Sequence, residues 1–63
     1  MILSRDAKFK CEDWTTGEEW NNQSYAQVVR LWESADSDDL LSVAELKVGE
    51  SYTHSEFHVE RIV

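Results

Sequence analysis

A lone cysteine, Cys11, in a chain of 63 residues is the tightest constraint on what this sequence can fold into. It forbids an internal disulfide. A domain of about 60 residues buries only about 60% of its unfolded surface, and small folds usually add disulfides, a metal or a partner subunit to make up the difference. With the disulfide removed, the chain must rely on an aromatic-rich core, on a metal or on an interface. The length leaves room for a single small domain, residues 1–63. An unpaired thiol fits a reducing compartment, so the expected location is cytoplasmic.

Aromatic side chains can supply the missing area, since each buries roughly 150–250 Å². They make up 11% of this chain, and three of them are tryptophans: Trp14, Trp20 and Trp32. Three indoles are hard to bury together in so small a core. The sequence therefore predicts that at least one is partly exposed, where it becomes a candidate binding anchor.

From Asp6 to Asp13 apolar Ala7, Phe9 and Cys11 alternate with Lys8, Lys10 and Glu12, the period of a half-buried strand. Thr15-Thr16-Gly17-Glu18 reads as a turn, and Glu19-Trp20-Asn21-Asn22 as a short returning strand. Ser24-Tyr25-Ala26-Gln27 is a capping box. Tyr25, Val28, Val29, Trp32 and Ala35 follow it at helical spacing, and Asp36-Ser37-Asp38-Asp39 is expected to end that helix.

Residues 40–48 fit two templates. Read as a strand, Leu40, Ala44, Leu46 and Val48 share a face. Read as a helix, Ser37 caps it, Asp38 and Asp39 suit its positive end, and Gly49 follows it. Leu46 would then leave the apolar arc while Lys47 joined it, which favours the strand. Gly49-Glu50-Ser51 turns the chain into a terminal strand at residues 56–63. The expected fold class is α+β: a small antiparallel sheet in ββαββ order with one helix packed on one face.

His54, Glu56, His58 and Glu60 would point one way on a single strand, but His54 and His58 would then stand roughly 13 Å apart at about 3.3 Å per residue. That is too far for one Zn²⁺ ion, so the run reads as a solvated polar face and no metal or other cofactor is expected. Counted from Asp36 as a calcium loop, position 6 is Leu41 and position 12 is Lys47, where glycine and glutamate are required. Cys11 sits on the apolar side of its strand, as a small hydrophobe does. Two glycines 32 positions apart cannot form a phosphate loop. A chain this short has little room for a substrate pocket, and the expected function is not enzymatic.

Charge says more. Asp and Glu number 13 against 6 Lys and Arg, a net charge of -7, which opposes direct nucleic-acid binding. No stretch of about 18 apolar residues is present to span a membrane, and Met1-Ile2-Leu3-Ser4-Arg5-Asp6 lacks a signal-peptide core. Residues 1–10 are net basic through Arg5, Lys8 and Lys10, whereas 11–20 (Glu12, Asp13, Glu18, Glu19) and 31–40 (Glu33, Asp36, Asp38, Asp39) carry only acids. Such a distribution steers basic partners, although charge also simply keeps a small protein in solution.

The profile resembles the small acidic proteins with which phages bind and inhibit host machinery: DNA mimics, anti-CRISPR proteins and RNA-polymerase inhibitors. The last group is similar in having a helix followed by a closing strand, here Phe57-His58-Val59-Glu60-Arg61-Ile62-Val63, about a third of the chain with the helix included. The resemblance implies a class of function and no particular residue. The expectation is a non-catalytic module that docks an acidic, Trp-bearing face on a basic host protein, with Glu18, Glu19, Trp20, Asp36, Asp38 and Asp39 as the contact residues. The alternative is a small structural or assembly protein that works as a homodimer, burying its spare aromatic surface and a strand edge against a second copy.

Overall fold

Alternation along the first strand divides its side chains between core and solvent, and both helices lie on the core side of the sheet it belongs to. The computed structural model describes residues 6–63; the reading of the N-terminal leader and of Arg5 lies outside them. The elements are β1 (Phe9–Asp13), β2 (Glu18–Gln23), α1 (Tyr25–Leu31), α2 (Ser37–Ala44), β3 (Ser51–His54) and β4 (Phe57–Arg61). The sheet order is β2-β1-β4-β3, with every neighbouring pair antiparallel. Two hairpins are thus joined through β1 and β4, and the helices carry the chain across one face from one sheet edge to the other.

The α+β class and the antiparallel sheet are as expected, but the order is ββααββ. Residues 40–48 are not a strand: α2 occupies 37–44, and the third strand is Ser51–His54. The helix wins because Asp36, not Ser37, caps it. The Asp36 carboxylate accepts from the Asp39 N–H at 2.9 Å, and the Asp39 carboxylate accepts from the Asp36 N–H at 3.2 Å, a reciprocal capping box that satisfies two otherwise orphaned donors. Asp38 and Asp39 also lie in the first turn, where carboxylates meet the positive end of the helix dipole. The objection from Leu46 disappears because the helix stops at Ala44; the Leu46 N–H then bonds Val43 O at 3.2 Å, and Leu46 is turned into the core.

The first helix begins as expected, with Ser24 and Gln27 forming both halves of the capping box. It ends at a Trp32 cap, one loop short of the acidic run, so Asp36, Asp38 and Asp39 open the second helix and do not end the first.

The terminal strand is shorter than residues 56–63. Ser55 and Glu56 both take positive φ, 53° and 64°, as a two-residue hairpin turn of the primed type requires, and β4 runs from Phe57 to Arg61. Consequently His54 and His58 lie on different strands and opposite faces. Phe9, Cys11, Phe57 and Val59 face the helices and are buried with Val28, Trp32, Val43 and Leu46. Trp32 stacks on Phe57 with centroids 4.9 Å apart, and Trp20 stacks on the same ring at 6.2 Å. One phenylalanine thereby engages two of the three indoles, which is how so small a core accommodates them.

Candidate interaction surface

Strand register decides where the acids go. The ladder pairs Glu18 with Asp13, Asp13 with Phe57, and Phe57 with His54. These four residues form a row across the sheet beside its two hairpin turns, spanning about 14 Å at about 4.8 Å per strand. The next row, on the face away from the helices, is Glu19, Glu12, His58 and Thr53. At the far end of the first row His54 Nδ1 lies 3.0 Å from Asp39 Oδ1, which ties the start of α2 to the same end of the molecule.

Glu12, Asp13, Glu18, Glu19, Asp36, Asp38, Asp39 and Glu56 therefore share one end, eight of the 13 acidic side chains. No lysine or arginine occurs in residues 11–20, 31–40 or 51–60, which supply all eight. Lys8, Lys10, Lys47 and Arg61 lie at the opposite end: Phe9 pairs with Arg61, Lys10 pairs with Glu60, and Arg61 Nη1 donates to Leu46 O at 2.9 Å. The screening length at physiological salt is about 8 Å, longer than the spacing of about 4.8 Å between neighbouring strands, so each acid adds to the field of its neighbours along the row.

The six residues named from the sequence have different surroundings. Glu18 and Glu19 are exposed on edge strand β2. Trp20 is half-buried, its ring engaged with Phe57. Asp36 is occupied as a helix cap and Asp38 is exposed in the first turn. Asp39 is buried at 4% exposure. Its Oδ1 accepts a 2.7 Å hydrogen bond from the Tyr52 hydroxyl. That bond, followed by those from the Asp36 N–H and His54, outweighs burial and holds the carboxyl below its ordinary range. The same contact, together with burial, raises the Tyr52 hydroxyl.

Trp14 was not among the six, and it is the tryptophan with an open ring, 54% exposed. It stacks on His58 with centroids 5.4 Å apart and planes 12° from parallel. The Trp14 backbone N–H donates to Glu56 O at 2.8 Å, and Thr15 Oγ1 donates to Glu56 Oε2 at 3.1 Å, so the two hairpin turns brace each other. The position just after a strand end, in a turn, was the available signal for Trp14. Glu56 gave none, because it read as a strand residue.

Cys11 is fully buried, and burial pushes its thiol up to about 11. Among the described residues no pocket opens and no three His, Cys, Asp or Glu side chains are grouped to hold a metal ion. No helix among them is long and apolar enough to cross a membrane. Comparison with protein families, curated proteins and solved structures gives no match.

Proposed function

We propose that this protein is a non-catalytic binding module that docks its acidic end on a basic surface of another protein. The observation that carries the reading is the gathering of eight carboxylates, from four separate stretches of chain, at one end of the sheet with no lysine or arginine among them. Like charges held together cost stability, and a basic partner converts that cost into steering and affinity. Trp14 adds a large, partly desolvated ring of the kind that anchors interfaces. The resemblance to small acidic phage inhibitors suggests the partner class: a cytoplasmic host protein whose basic groove handles nucleic acid, which the acidic end would occupy in place of a phosphate backbone.

The test is to capture partners from the source cells, identify them by mass spectrometry, and titrate the purified partner with wild type and with Glu18→Gln/Glu19→Gln/Asp38→Asn. These three acids are exposed, and none makes a side-chain hydrogen bond or ion pair described above. Asp38 acts on the fold only through the α2 dipole, so the amide spectrum of the variant is checked first. The reading expects affinity to fall at least tenfold in the variant. Unchanged affinity at moderate salt would defeat it.

A further inference from the structure

The helices cover one face of the sheet, and among the described residues no helix or strand covers the other. On that open face Glu12 stands directly opposite Glu19 on one side and opposite His58 on the other. Like charges directly opposite each other in a ladder are destabilising, and neither glutamate has a cation within ion-pair distance among the described residues. His58, which Glu12 faces across the ladder, stacks on the Trp14 indole. His58 covers one side of the indole, while 54% of Trp14 remains exposed. His58 is itself braced, since its Nδ1 and Thr53 Oγ1 share a 2.6 Å hydrogen bond, and it offers the indole a fixed stacking partner.

A repelling carboxylate pair beside a braced, electron-rich ring is complementary to one chemical group, the guanidinium. It pairs with carboxylates through a planar fork of donors and stacks on aromatic faces, which the compact, strongly hydrated ammonium of lysine does less well. We infer that the open sheet face, at Glu12, Glu19 and Trp14, seats an arginine side chain from an extended basic segment of the partner protein. This rests on the reading that the acidic end docks a basic partner, and it says which face makes the contact. A second copy of the chain is a poor occupant, because each copy carries a net charge of -7 and the two would repel.

The probe is a short peptide of alternating arginine and serine, with lysine and citrulline versions of the same length, titrated into the protein and followed by the backbone amide and indole N–H resonances. The arginine peptide is expected to shift the Trp14 indole and the amides of Glu12, Glu19 and His58, more than the lysine peptide does. The citrulline peptide is expected to shift none of them. Trp14→Leu and, separately, Glu12→Gln/Glu19→Gln should each weaken binding roughly fivefold, with amide spectra confirming that both variants are folded. If the arginine peptide binds but shifts centre on the first turn of α2, and Trp14→Leu binds like wild type, the open face is the wrong site while acidic docking survives. Failure of all three peptides, or equal binding of the arginine and citrulline versions, overturns both. Concentration-dependent dimerisation that protects the same amides would overturn this inference in favour of self-association.

Discussion

The Tyr52 hydroxyl donates a 2.7 Å hydrogen bond to Asp39 Oδ1, and through it the third strand is fastened to the second helix. Asp39 is also the N3 member of that helix's capping box and the partner of His54. One buried carboxylate thus closes a helix terminus and docks that helix on a sheet edge. The hydroxyl, the Asp36 N–H and the His54 ring satisfy its acceptor sites, so its burial is tolerable.

Its protonation should therefore be coupled to folding in acid. The folded carboxyl lies below its ordinary value, with the Tyr52 hydrogen bond as the largest cause, whereas the unfolded one titrates near about 3.9. The unfolded chain binds the extra proton first. The contribution is thus complete above the unfolded value and is lost as pH falls through the folded one. Denaturant titrations between pH 6 and pH 2 should show stability falling most steeply below pH 4, and Asp39→Asn should flatten that slope.

The two ends of the capping box should not be equivalent. Asp36→Ala removes one cap, worth about 1 kcal/mol. Asp39→Ala removes the reciprocal cap and also strands the Tyr52 hydroxyl, so it should cost distinctly more. Chemical denaturation of the two variants at pH 7 checks the ranking.

Ser55 and Glu56 occupy left-handed backbone without being glycine, at roughly 1–2 kcal/mol each. Glu56→Gly should therefore raise stability by about 1 kcal/mol, read as a higher denaturation midpoint with an unchanged slope. A loss of stability would mean that the Thr15–Glu56 hydrogen bond matters more than backbone strain.

Cys11 has its thiol raised to about 11 and is fully buried, so little reactive thiolate exists at neutral pH. Thiol-reactive dye should label the native protein only at the rate of global unfolding, and immediately in denaturant. Fast labelling without denaturant would show that the region around β1 opens locally.

These elements also show how far the sequence could be read. Alternation marked the first strand and the Ser24–Gln27 box marked the first helix, because both signals are local. The second helix was masked by Leu46, which belongs to the turn after it, and the Asp36–Asp39 spacing was a cap read as a loop. The Ser55–Glu56 turn carries neither glycine nor asparagine, so His54 to Glu60 passed for one strand and the third strand was sought at 40–48. The acidic stretches were visible, but their meeting was not. It depends on the pairing of Asp13 with Glu18 and Phe57, and on the His54–Asp39 contact. Register follows from the alternating pattern together with the turns, and the Ser55–Glu56 turn was the part the sequence hid.

The gathered acids most directly imply a salt-dependent encounter. The deciding measurement is the association rate with the purified partner, by stopped flow, from 0.05 to 0.5 M salt. Wild type should associate at least tenfold more slowly at the high-salt end, while Glu18→Gln/Glu19→Gln/Asp38→Asn, with five of the eight acids left, should start slower and show a shallower salt dependence. A rate that is independent of salt and identical in both proteins would contradict the account.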